Sequence, residues 1–132
     1  MEKRAIHTDA GPVSGAPYSP AIRVGAVVYI SGQIPIDPAT SRVVEGDFSE
    51  QVRQCIRNLA SILKQEDLSL DNVVKTTVYL KDLEQFAEFN RVYGPYFIGT
   101  KPARSTVQVA RLPLDVAVEI EAIAVDFKGT GE

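Results

Sequence analysis

The chain of 132 residues has no tryptophan, and only one cysteine, one histidine and one methionine. A single thiol excludes an internal disulfide, and with it a secreted, disulfide-stapled design. Cys55 and His7 lie far apart in sequence, so no metal-ligand spacing is present and no metal is expected. The chain has no Gly-rich phosphate loop, no Ser-His-Asp set and no nucleotide fingerprint. No apolar run approaches the roughly 20 residues that span a bilayer. The start, Met1-Glu2-Lys3-Arg4-Ala5-Ile6, carries basic residues without an apolar stretch behind them. These absences predict a cytoplasmic protein with no membrane partner. The net charge is −3 and the basic residues are scattered. A nucleic-acid footprint needs a basic stripe, so no nucleic-acid partner is expected.

What remains is the composition of a soluble domain, 45% apolar and 23% charged, which is enough apolar material for one core. Residues 1–132 are read as a single domain without repeat or linker. Arg4 to Thr8 is a short strand. Asp9 to Pro20, rich in Gly, Pro and Ser, is an ordered loop. Ile22-Arg23-Val24 and Val27 to Ser31 flank Gly25-Ala26 as a hairpin. Ile36 to Thr40 is turn chemistry. Asp47 with Glu50 forms a capping box. Val52, Cys55, Ile56, Leu59, Ile62 and Leu63 then recur at helical spacing. On that stripe Cys55 reads as a small buried hydrophobe. Val73 to Leu80 is a β-branched strand. Asp82 with Gln85 repeats the capping pattern, Phe86, Phe89 and Tyr93 form an apolar stripe, and Gly94-Pro95 stops that second helix. The class is α+β: a mixed β-sheet with two α-helices packed on one face. Two helices cover one face only. Yet the last strand puts Val118 and Ile120 on one face and Ile123 and Val125 on the other. Self-association is the simplest cover for the second face.

The stretch from Lys101 to Pro113 alternates as a strand: Ala103, Ser105, Val107 and Val109 point one way, Arg104, Thr106, Gln108 and Ala110 the other. A guanidinium fixed on a strand offers a planar fork of donors suited to a carboxylate. Leu112-Pro113-Leu114-Asp115 reads as a turn into the strand from Ala117 to Val125. Hairpin arithmetic sets Glu119 opposite Thr106 or Val107, near Arg104. Two readings stand: a structural ion pair of Arg104 with Glu119 or Glu121, or a site for a small anion. Glu119 and Glu121 share a face by the period of two.

Pro102-Ala103-Arg104-Ser105, Val109-Ala110-Arg111-Leu112-Pro113 and Glu119-Ile120-Glu121-Ala122-Ile123-Ala124 resemble the C-terminal signature of the reactive-intermediate deaminase (Rid/YjgF) family. Pro17-Tyr18-Ser19, Ser31-Gly32-Gln33-Ile34-Pro35, Asn72 to Leu80 and Phe89-Asn90 fit in order and spacing, so the resemblance covers nearly the whole chain. It implies a chorismate-mutase-like fold and a homotrimer, with sheets facing inward and ligand clefts between subunits. It implies hydrolysis of 2-imino acids, as formed by dehydration of serine or threonine, to 2-keto acids and ammonia, without a cofactor. By the same resemblance Arg104 holds the substrate carboxylate and Glu119, rather than Glu121, orients the attacking water. Ser31, Gly32 and Thr106 line the carboxylate or imine site, Gly32 and Thr106 through their backbone, while Tyr18 and Asn90 border the cleft. Each has a plainer reading: Ser31-Gly32 as a strand end, Tyr18 as packing over the core, Asn90 as a helix-surface amide. The chain departs from the family at Thr106, where many members carry cysteine, at Ala16 for glycine and at Pro20 for glutamine. Two other functions stay open: a small-molecule binding or regulatory protein without turnover, and an endoribonuclease or RNA-binding activity.

Overall fold

The computed structural model describes residues 1–8 and 16–128. β1 (Lys3–Ile6), β2 (Ala21–Val24) and β3 (Val27–Gln33) form an antiparallel meander. Gly25 turns β2 into β3 at φ 59°, a left-handed conformation that costs glycine no steric penalty, so the hairpin forms where Gly25-Ala26 predicts it. Of the loop expected from Asp9 to Pro20, residues 9–15 lie outside the described residues. The turn expected at Ile36 to Thr40 joins a small hairpin of β4 (Ile36–Asp37) with β5 (Arg42–Val43). Asp37 caps it, its side chain accepting the Ala39 N–H at 2.9 Å.

α1 (Phe48–Lys64) starts at Asp47, whose carboxylate accepts the Glu50 N–H at 3.0 Å. The Glu50 side chain turns to Arg57 at 2.9 Å instead of back to the cap, so only half of the expected box forms. Its apolar stripe, Val52, Cys55, Ile56, Leu59, Ile62 and Leu63, is fully buried. Each such side chain contributes about 1.5–3 kcal/mol of transfer free energy. β6 (Val73–Leu80) follows. Asp82 then caps a 3₁₀ turn, Leu83–Gln85, and not the helix itself. α2 (Phe86–Tyr93) begins one turn later without a side-chain cap. Gly94 stays right-handed at φ −52°. Pro95, which has no N–H to donate, sits in the 3₁₀ turn Gly94–Tyr96 that replaces further α-helix.

β7 (Ala103–Gln108) and β8 (Val118–Val125) complete an α+β fold whose six-stranded mixed sheet runs in the order β1-β2-β3-β8-β6-β7. The hairpin expected between β7 and β8 does not form. β6 stands between them, parallel to β7 and antiparallel to β8. The reason is the connection through α2: a helix laid over the sheet returns the chain parallel to β6. That leaves β7 on the edge and sends the chain back across it through a 3₁₀ turn at Pro113–Asp115. The register arithmetic survives at one remove, because Tyr79 on β6 pairs with both Val107 and Glu119.

The helices cover the face carrying Val28, Ile30, Val78, Leu80, Val118, Ile120, Ala122 and Ala124, all buried. On the other face Tyr29 is 50% exposed and Val107 43%.

Candidate active site

Arg104 belongs to the helix face. Its register partner on β6 is Thr76, which is fully buried there. The guanidinium carbon lies 5.5 Å from the ring centres of Phe86 and Phe89 and 5.0 Å from that of Tyr93. These rings recur at helical spacing along one face of α2. Tyr93 is anchored in turn by a 2.8 Å hydrogen bond between its hydroxyl and Thr76 Oγ1. Ring faces attract a cation without neutralising it. Among the described residues no carboxylate pairs with Arg104, so the structural ion pair with Glu119 or Glu121 is absent within the chain. Asn90 shares the helix face of Phe86, four residues before it, and its Oδ1 is buried without a partner among the described residues. Thr106 Oγ1, two residues along β7 on the face of Arg104, is the same.

The β7 backbone adds donors. Val109 N–H reaches Leu80 O at 3.0 Å. In a parallel ladder only alternate residues bond to a given neighbour. Arg104 and Thr106 therefore direct their own N–H groups to the open edge of the sheet.

Glu119 lies on the opposite face, beside Tyr79, its partner on β6. Its strand neighbour β3 is bulged. Ile30 pairs with Ala122 and Gln33 with Ile120, so Ser31 and Gly32 together oppose Glu121. The Glu119 carboxylate lies against this bulge at Gly32. Burial pushes its carboxyl above the usual range, and the nearby Glu121 charge adds to the rise. Ser31 ties the bulge to the preceding loop, its N–H donating to Pro20 O at 2.9 Å and its hydroxyl to Ser19 O at 2.7 Å. That places Tyr18, 57% exposed, next to this corner of the sheet.

The seven residues singled out in the sequence thus form two clusters. Tyr18, Ser31, Gly32 and Glu119 gather at β3 and β8; Arg104, Thr106 and Asn90 gather at β7 and α2. Three strand spacings, about 14 Å, separate β3 from β7, and the two key side chains point to opposite faces. The ring cradle around Arg104 was visible in the sequence as a stripe, but nothing there showed what it enclosed. Packing of Glu119 on Gly32 left no signal in the sequence. A separate depression is lined by Arg4, Arg23, Glu66 and Asp126. These four charges are paired with one another: Arg23 lies 2.9 Å from Asp126 and 3.3 Å from Glu66, and Arg4 2.5 Å from Glu66. Among the described residues no three His, Cys, Asp or Glu side chains gather to hold a metal ion, and no helix is long and apolar enough to cross a membrane.

The chain as a whole is similar to known proteins. The family profile described as endoribonuclease L-PSP matches residues 8–126. A RutC family protein of Pyrococcus abyssi is 52% identical, over 94% of this chain and 98% of its own length. The mouse 2-iminobutanoate/2-iminopropanoate deaminase is 45% identical, over 93% of this chain and 91% of its own. The crystal structure of a Rid family protein of unknown function from Yersinia pestis superposes with a TM-score of 0.89 at 42% identity, covering 95% of this chain and all of that one.

Proposed function

This chain belongs to the Rid/YjgF family, and we propose that it hydrolyses 2-imino acids to 2-keto acids and ammonia. The observation that carries the reading is the Arg104 guanidinium, held by three rings and paired with no carboxylate among the described residues. A cation in that state is set to take the carboxylate of a substrate through its donor fork. The outward N–H groups of Arg104 and Thr106 supply further donors at the same edge.

The chemistry needs little more. Water attacks C2 of the protonated imine, and Glu119 orients that water and accepts its proton. Glu119 returns that proton to the carbinolamine nitrogen, the C–N bond breaks as the hydroxyl proton passes to Glu119, ammonia leaves and carries that proton away as ammonium, and the 2-keto acid remains. A carboxyl with a raised pKa suits both halves of this transfer. Removal of translational and orientational freedom supplies much of the rate. A protonated imine is already electrophilic, so the proposed path uses no cofactor.

Since Arg104 and Glu119 point to opposite faces, the site is assembled between two copies. We infer a homotrimer of the chorismate-mutase-like kind, with the uncovered sheet faces turned inward. One chain supplies Arg104, Thr106 and Asn90; its neighbour supplies Tyr18, Ser31, Gly32 and Glu119. Exposed Tyr29 and Val107 on that face support the same packing. The test is an assay in which a serine or threonine dehydratase generates the imine in place and keto-acid release is followed with and without this protein. Faster release is expected. No acceleration, together with retained keto-acid binding, would make the protein a binder without turnover.

A further inference from the structure

We propose that Gly32 is the positioning residue for Glu119: the bulged backbone of β3 omits a side chain so that the Glu119 carboxylate can occupy its place. The inference rests on the reading of Glu119 as the water-orienting base. A Cβ built on Gly32 would lie 1.9 Å from Glu119 Oε2, 2.8 Å from Cδ and 3.2 Å from Cγ. The end of the side chain fills the space, so a methyl there would have to displace the carboxylate.

The usual reason for a glycine is missing here. Gly25, Gly46 and Gly99 adopt positive φ, and Gly32 does not. Its backbone suits any residue; only the space demands glycine. The bulge is also fixed from behind. Besides the two bonds from Ser31 to the loop, Gln33 Nε2 donates to Ser31 O at 3.0 Å. Glu119 is therefore packed on a rigid surface, and a packed carboxylate loses water on that side.

The groups facing it agree. Glu121 stands two residues along on the same face, Tyr79 lies directly across on β6, and Lys75 is further along that face. From α1, Cys55 donates toward Val118 O at 3.7 Å on the side of the core. Burial and Glu121 both raise the Glu119 carboxyl. Forcing the side chain into water would relieve the burial and bring it down again.

Another role for Gly32, letting a ligand approach the backbone, predicts something different: a methyl there would obstruct the ligand and leave Glu119 unchanged. The experiment is a double-mutant cycle of Gly32→Ala with Glu119→Ala, read by thermal unfolding. It is joined by titration of the Glu119 carboxyl by NMR in the parent and in Gly32→Ala. Gly32→Ala is expected to lower the melting temperature in the parent background and far less beside Glu119→Ala, where the clash is gone. The Glu119 carboxyl is expected to titrate lower in Gly32→Ala, and kcat to fall about 100-fold, as on loss of a general base. If Gly32→Ala alone does not fold, the double variant should. Equal destabilisation in both backgrounds, or an unmoved Glu119 titration, overturns the proposal. Neither readout needs catalysis, so a parent protein without imine hydrolysis overturns the functional reading and leaves the packing claim to be judged by these measurements.

Discussion

Arg104 and Glu119 stand on opposite faces of one sheet, with β6 between their strands. A strand side chain cannot reach through its own sheet, so the two can meet on one ligand only across two chains.

Complementation between inactive variants tests this directly. Arg104→Ala and Glu119→Gln should each be inactive alone. Unfolded and refolded together in equal amounts, they should regain about one quarter of the parental activity, since a quarter of the sites in randomly mixed cyclic trimers would pair an intact Arg104 with an intact Glu119. Sedimentation should give a trimer for each variant and for the mixture. No recovery in mixed trimers would overturn the shared site and remove at least one of the two groups from the reaction.

Arg104→Lys should rescue Arg104→Ala poorly. Lysine keeps the charge but loses the planar two-bond fork and its fit against the rings of Phe86, Phe89 and Tyr93. Loss of a charge-assisted clamp should cost about 2–5 kcal/mol in kcat/KM. Steady-state kinetics in the dehydratase-coupled assay, with circular dichroism as the folding control, measure it. Parental kcat/KM in Arg104→Lys would show that charge alone suffices.

Glu119→Gln should lower turnover by about 10²–10⁴ while leaving keto-acid binding near the parental value. Stability should move the other way. The Glu119 carboxyl is raised in the folded chain, so its ionised form opposes folding, and that penalty grows as pH rises through its folded pKa. The glutamine variant should therefore melt higher than the parent at neutral pH. The difference should vanish below the ordinary carboxylate range, where Glu119 is protonated in both states. Melting curves across that range check the sign.

Thr106 should tolerate exchange. Thr106→Ala and Thr106→Cys should stay within about tenfold of parental activity, or roughly 1.4 kcal/mol of barrier, because the position is proposed to act through its backbone N–H. Thr106→Val removes a buried hydroxyl that lacks a partner among the described residues and should be neutral or stabilising, by up to about 1 kcal/mol in denaturant titration. A loss of activity in folded Thr106→Ala would assign the hydroxyl a chemical role.

Much of the molecule was legible because local rules and tertiary packing agreed. The stripe from Val52 to Leu63 had to be a half-buried helix, since its period matches one face of an α-helix. Gly25-Ala26 had to turn, and the strand from Val118 to Val125 had to carry apolar residues on both faces. The alternation around Arg104 placed Thr106 and Gln108 on its side correctly. Strand adjacency was not legible. Sequence order suggested a hairpin of β7 with β8, but the return through α2 made β7 parallel to β6, and no local pattern encodes which strand lies beside which. The capping pattern at Asp82 identified a turn without showing that it was 3₁₀. The site is divided in the same way. The sequence alone supplied the two groups that the proposed chemistry uses, because a guanidinium and a carboxylate are properties of side chains. Only the tertiary structure decided that the rings of α2 close around the guanidinium, that the carboxylate fills the place of a missing side chain at Gly32, and that the two face away from each other. Those relations join residues distant in the chain, and three-dimensional packing alone sets them.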